Sequence, residues 1–277
     1  MSVRLSRMHR FAVAMFVFAA IFVCAAIFVF AALGAVSLAG EIGPQDLRSG
    51  FLDMSPESRA MQSDDTANPG MLTVLEGEAL WRQPAGPDRR SCADCHGDAA
   101  ATMRGVAARH PVYSPAQQRP ITLEERINLC RVGQQKAAPL TWESPALLGL
   151  TAYVAHQSRG LPITAGDDER SRPFVDEGRQ LFAQRQGQLN LSCAACHTDH
   201  RGGRLAGNPI PQGHPTGYPL YRLEWQSTGS LQRRLRNCMT GVRAEPYEYG
   251  SPELANLELY LMWRARGLPL ETPAVRP

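Results

Sequence analysis

The chain has 277 residues, 29 of them basic and 26 acidic, with a formal charge of +3. The surplus sits at the N-terminus: without residues 1–39 the chain loses Arg4, Arg7 and Arg10 and no acid, leaving 26 basic against 26 acidic residues. A neutral body of this length has room for two ordinary domains and no electrostatic claim on nucleic acid or an anionic membrane.

Residues 1–39 read as a signal peptide, which places the mature protein in the periplasm. Arg4, Arg7 and Arg10 form a basic start, an uncharged apolar run extends from Phe11 to Ala39, and Ser37-Leu38-Ala39 supplies a small-x-small cleavage pattern. The run is also long enough to anchor the chain if it is not cut. Its small-residue end and the polar stretch after it favour cleavage. Cys24 lies inside the run and leaves with it, since bulky Val23 makes a poor lipoprotein site. Six cysteines remain, and in an oxidising compartment three disulfides are the default expectation. Their spacing points elsewhere.

From residue 40 the pattern predicts a mainly α protein built of two units, 40–165 and 166–277. After an N-terminal extension, the first unit opens on a short helix carrying Gly77 and Trp81 four residues apart on one face. Cys92-Ala-Asp-Cys95-His96 follows. In a C-x-x-C-H motif the two thiols add to the vinyl groups of a haem, and the histidine reaches its iron. A long loop rich in Pro and Gly comes next, holding His110-Pro111 and Cys130. A last helix with Leu150-Thr-Ala-Tyr153 then stops at Arg159-Gly-Leu-Pro162.

The second unit repeats this plan. Val74, Gly77, Leu80, Trp81, Cys92 and His96 have counterparts 101 residues later in Val175, Gly178, Leu181, Phe182, Cys193 and His197, without a gap. The offset then drifts to 107, where Leu257-Glu-Leu-Tyr260 and Arg266-Gly-Leu-Pro269 match the end of the first unit. One C-x-x-C-H is equally a zinc half-site. Two in matching repeats of an exported chain indicate two covalently bound haem c groups, attached through Cys92, Cys95, Cys193 and Cys196, with His96 and His197 on the irons. The plan resembles the class I cytochrome c fold, twice in tandem, with the glycine letting the last helix cross the first closely. A tethered apolar macrocycle supplies the core that so short and loop-rich a unit lacks.

The opposite axial ligand is less direct. Met103 lies seven residues past His96, too close to swing to the other face, and Met239 has no counterpart in the first unit. Cys130 and Cys238 do correspond, 30 residues before Gly160 and 29 before Gly267. Either serves as a thiolate ligand, which would depress the iron's potential. The rivals are His110 and His214, each before a proline and roughly repeated, and a Cys130–Cys238 disulfide. Equivalent positions of two repeats do not normally face one another, so thiolate ligation is favoured. Arg233, Arg234, Arg236 and Arg243 lie within five residues of Cys238. Guanidinium forks bind oxyanions and stabilise a thiolate, although a solvated basic helix face gives the same run. Cys130 has only Arg126 and Arg131 nearby. The units look alike in fold and unlike in chemistry: the first for electron transfer, the second a candidate active site.

The stretch Arg234-Leu-Arg-Asn-Cys238-Met-Thr-Gly-Val-Arg-Ala-Glu-Pro-Tyr247, with Gly250-Ser-Pro-Glu253 and Leu257-Glu-Leu-Tyr-Leu261, resembles the SoxA family of dihaem cytochromes. Ser49-Gly-Phe51, Met54-Ser-Pro-Glu57 and Asn68-Pro-Gly-Met71 resemble it too. The resemblance implies a thiosulfotransferase that joins thiosulfate oxidatively to a cysteine of a SoxYZ-like sulfur carrier, with electrons leaving through haem to a soluble acceptor cytochrome. It implies that Cys238 is the catalytic cysteine and a haem ligand able to carry an extra sulfur as a persulfide. Arg234 is then the substrate-binding arginine, Cys130 the distal ligand of the first haem, and a SoxX-like monohaem cytochrome the partner subunit. Without the resemblance, the residues reach only a dihaem cytochrome with a cysteine–arginine site. A plain dihaem electron shuttle and a peroxidase-type dihaem enzyme are its rivals.

Overall fold

Two crossings of short helices set the architecture. In the computed structural model, which describes residues 42–277, helix α1 spans Pro56–Ser63, α2 Gly70–Arg82, α3 Cys92–His96, α4 Ala99–Thr102, α5 Leu123–Cys130, α6 Pro145–His156, α7 Arg172–Ala183, α8 Leu231–Gly241 and α9 Pro252–Arg264. The expected signal peptide, residues 1–39, lies outside the described residues. Among those residues no helix is long and apolar enough to cross a membrane.

Helix α2 packs on α6, and α7 on α9. A Cβ added at Gly77 would sit 1.9 Å from the Gly149 carbonyl oxygen, and one at Gly178 would sit 2.1 Å from that of Asn256. Only glycine permits either contact. One turn on, Trp81 packs on Tyr153 with ring centres 5.9 Å apart, and Phe182 on Tyr260 at 5.4 Å. Each crossing is thus one glycine plus one aromatic pair, in tandem cytochrome c fashion. Ser144 and Ser251 cap α6 and α9, each ahead of a first-turn proline.

The stretch between haem motif and last helix is more ordered than the expected loop. Strands β1 (Val112–Ser114) and β2 (Arg119–Ile121) form an antiparallel hairpin. It leads through the cap Thr122 into α5, whose last residue is Cys130. In the second half, after the small β3–β4 pair (Arg204–Leu205, Asn208–Pro209), β5 (Leu220–Arg222) and β6 (Ser227–Gly229) lead through Ser230 into α8, which carries Cys238. Three-residue strands are too short to show a period of two in sequence. The C-terminal strand β7 (Val275–Arg276) pairs with β5 in parallel.

The halves meet around an approximate twofold axis. Gly160 N–H donates to Leu270 O at 2.8 Å, and its counterpart Gly267 N–H donates to Ile163 O at 3.0 Å. Pro162 opposes Pro269, which is its own counterpart. Trp142 and Tyr249, again equivalent, stack at 6.3 Å. Equivalent segments therefore do face one another here, contrary to the expectation from sequence. The N-terminal extension is held on the second half: Arg48 N–H donates to Gln212 Oε1 at 2.9 Å, and Asn68 Nδ2 to Pro273 O at 2.9 Å.

Candidate functional site

In the first half, a cavity of about 360 Å³ opens between the C-x-x-C-H turn and α5. Cys92, Cys95, His96 and Trp81 line one side, Cys130 with Arg126 and Ile127 another, and Leu150 and Val154 belong to the same lining. Ser91 caps the turn: its Oγ accepts from Asp94 N–H at 3.1 Å and its N–H donates to the Asp94 carboxylate at 2.7 Å. This reciprocal cap sets Cys92 and Cys95 three residues apart on one helical face. Burial pushes the Cys92 thiol up, against the pull of Arg131, and Cys130 lies within electrostatic reach. An apolar cavity of this size, two thiols on one side, an imidazole beside them and a third thiol from α5 suit a tethered haem.

In the second half, Cys193, Cys196 and His197 follow the same order. Pro211 O accepts from His197 Nδ1 at 2.8 Å, which leaves the Nε2 lone pair free for a metal. Gly213 presses on that ring: a Cβ there would lie 3.0 Å from His197 Cγ. Arg264 ties the same loop to the motif by donating to Gln212 O at 2.5 Å and to His197 O at 3.4 Å. Burial holds His197 below the usual imidazole range. Burial, with Cys238 nearby, pushes the Cys193 thiol up to about 12. Each half thus brings its own motif and its own third cysteine, Cys130 or Cys238, together. All six cysteines of the described chain are free, with Cys130 and Cys238 half-buried and unpaired.

The arginine run around Cys238 separates into different tasks. Arg233 stacks on Trp225, its guanidinium carbon 4.3 Å from the ring centre. Arg236 lies 4.5 Å from the Tyr249 ring centre and donates to the Tyr247 carbonyl. Arg243 stands exposed beyond the helix. Arg234 is half-buried and bears electrostatically on both His197 and Tyr218. The sequence cluster reduces to one guanidinium turned to the motif.

The hairpins also correct the alignment of the halves. Val112–Ser114 and Leu220–Arg222 are offset by 108, as are Cys130 and Cys238. His110-Pro111 therefore corresponds to Tyr218-Pro219, both with cis peptides, and not to His214-Pro215. Arg126 corresponds to Arg234. His110 is buried, with Val106 O on its Nδ1 at 2.8 Å and its Nε2 unpartnered. His214 has Arg48 O on Nδ1 at 3.0 Å and likewise an unpartnered Nε2. Sequence reasoning passed over Tyr218 and the Arg126 equivalence. The visible signal was a proline 19 residues before each distal cysteine, Pro111 and Pro219.

The family model described as SoxA/TsdA, cytochrome c domain, matches the chain twice, at residues 76–163 and 177–270. The chain is 39% identical over 229 residues to the L-cysteine S-thiosulfotransferase subunit SoxA of Pseudaminobacter salicylatoxidans, covering 82% of this chain and 80% of that one. It is 35% identical over 231 residues to the subunit of that name from Rhodovulum sulfidophilum, covering 83% and 80%. The crystal structure of SoxXA from P. pantotrophus superposes with a TM-score of 0.81 at 29% identity, covering 83% of this chain and 87% of that one.

Proposed function

Because the chain belongs to the SoxA/TsdA family of cytochromes c, we propose that it is a periplasmic thiosulfotransferase whose active site is Cys238 with Arg234, in its second cytochrome domain. The domains divide at residues 165 and 166, and the partner subunit is a SoxX-like monohaem cytochrome. The observation that carries the reading is the junction of α8 with the second C-x-x-C-H motif. There the half-buried Cys238 thiol bears on Cys193, and one turn earlier the Arg234 guanidinium, with no acidic partner among the described residues, bears on the His197 imidazole.

Cys92, Cys95, Cys193 and Cys196 would attach two haem c groups, which His96, His197, Cys130 and Cys238 would hold through their irons. When bound, the haems would supply the one-electron oxidants for the sulfur chemistry, with a soluble cytochrome as the final electron acceptor. Arg234 holds a sulfonate oxygen pair of thiosulfate through its fork and offsets the repulsion between the Cys238 thiolate and the dianion. The Cys238 sulfur and the terminal sulfur of thiosulfate lose two electrons and form one sulfur–sulfur bond. The thiolate of a SoxYZ-like carrier then attacks the thiosulfate-derived sulfur. It takes over the thiosulfonate, and Cys238 departs as thiolate, following ordinary thiol–disulfide exchange. A plain electron shuttle leaves Arg234 without a task.

The test is carrier-linked thiosulfonate formation, followed by mass, in Cys238→Ala and Cys130→Ala side by side. Cys238→Ala abolishes coupling, whereas Cys130→Ala shifts a haem potential and keeps substantial activity. Near-normal coupling in Cys238→Ala with its haem retained would reduce the cysteine to a ligand.

A further inference from the structure

The two halves present the same three places around the distal cysteine and fill one of them differently. Each has a cysteine at the end of a helix or in its last turns, an arginine four residues before it, and an X-Pro residue 20 before it: Cys130, Arg126 and His110 in the first half, Cys238, Arg234 and Tyr218 in the second. We propose that the Tyr218 hydroxyl is a second substrate-binding group of the Cys238 site, donating a hydrogen bond to the sulfonate oxygens of thiosulfate opposite the Arg234 fork. The inference rests on the reading of Cys238 and Arg234 as the thiosulfate site.

Tyr218 is held by its backbone and left unused at its tip. Its carbonyl accepts from Thr272 Oγ1 at 2.9 Å. On either side, Glu271 N–H donates to Thr216 O at 2.7 Å, Ala274 N–H to Gly217 O at 3.1 Å and Tyr221 N–H to Ala274 O at 2.9 Å. At Gly217 a Cβ would come within 2.2 Å of that of Ala274, so the segment is clamped on the C-terminal strand. The hydroxyl makes no hydrogen bond to another described residue. A donor fixed in place before the ligand arrives loses little freedom on binding it.

The surroundings suit an anion. Arg234, Arg222 and Arg276 all bear on the hydroxyl, together with Cys238. Arg222 is paired with Glu224 at 2.6 Å and Arg276 with Glu271 at 2.5 Å, whereas Arg234 has no acidic partner among the described residues. Burial pushes the hydroxyl up to about 12, so it keeps its proton and remains a donor at any physiological pH. His110 behaves oppositely. Its Nδ1–H is taken by Val106 O, so the neutral ring offers only a lone pair at Nε2, which repels an oxyanion. With arginine and cysteine present in both halves, this exchange of donor for acceptor explains why thiosulfate chemistry belongs to the second.

The experiment is Tyr218→Phe in the full dihaem chain with its monohaem partner, with thiosulfate as the probe and carrier-linked thiosulfonate as the product. The substitution keeps the ring and removes only the donor. KM for thiosulfate should rise about ten- to a hundredfold, the worth of one hydrogen bond to a charged group. The thiolate-type low-spin resonance and both haems should be retained. An unchanged KM, alone or with a lowered unfolding temperature, would overturn the inference and leave Tyr218 a packing residue. A raised KM with loss of that resonance would also overturn it, because the substitution would then act by moving Cys238. If Cys238→Ala itself retains coupling, the reading of the site falls first, and the two failures are told apart.

Discussion

Replacing Arg234 or Arg236 by alanine should have opposite consequences, although the two arginines are neighbours on α8. Among the described residues Arg234 has no acidic side chain or ring to lose, so its removal orphans no buried partner there and should change stability by no more than about 0.5 kcal/mol. Its loss should fall on substrate instead. Each charge-assisted hydrogen bond to the oxyanion is worth about 1.5–3 kcal/mol, so kcat/KM for thiosulfate should drop roughly tenfold to a hundredfold per bond removed. Arg234→Lys should restore only part of this, because one ammonium cannot reproduce the fork. Arg236→Ala removes a guanidinium 4.5 Å from the Tyr249 ring centre and a bond to the Tyr247 carbonyl. It should cost about 1–2 kcal/mol of stability and leave KM nearly unchanged. The assay is thiosulfonate formation on the carrier beside a thermal unfolding curve for each variant. Normal thiosulfate kinetics in Arg234→Ala, or equal kinetic losses in both variants, would refute the assignment.

Three further outcomes follow. The denatured mature protein should carry the mass of two haems, and the oxidised protein should show two thiolate-type low-spin signals, lost one each in Cys130→Ala and Cys238→Ala; methionine-type signals indifferent to both would end the ligand assignment. Glu124 and Glu258 lie buried at the seam between the halves, and desolvation raises both above the usual carboxylate range, compounded at Glu124 by the charge of Glu143 and at Glu258 by that of Glu124. The unfolded chain ionises first, so stability falls as pH rises above about 4.5, and Glu258→Gln should raise the unfolding temperature at pH 7. Burial lowers His110 and His214 to about 4, so the unfolded state binds protons first and stability should decline as pH falls from about 6.5 toward 4; His214→Gln, measured by denaturant titration across that range, should flatten the slope.

Much of the molecule was legible in one dimension because its determinants are local. A C-x-x-C-H motif spans one helical turn, and the glycine–aromatic pair of each crossing lies on a single helix face. Gly77 with Trp81 and Gly178 with Phe182 therefore announced both helix crossings, which the structure closes on Tyr153 and Tyr260. The pairing of Cys130 with Cys238 was readable from the repeat. The hairpins were not, since strands of three residues carry no usable period, and without them His110 was matched to the wrong partner.

What the tertiary structure decided is which of several equivalent side chains meets the site. Four arginines crowd Cys238 in sequence, but a helix turns each residue about 100° from the last. Arg233 and Arg236 are drawn off by the rings of Trp225 and Tyr249, and these rings come from a hairpin and from a loop beyond the helix. Tyr218 comes within electrostatic reach of Arg234 and Cys238 where β7, from the far end of the chain, pairs with β5 and clamps the segment before it. Composition and spacing name the reactive groups, because bond chemistry depends on neighbours along the chain. Their selection depends on through-space partners tens of residues away, which no local pattern encodes.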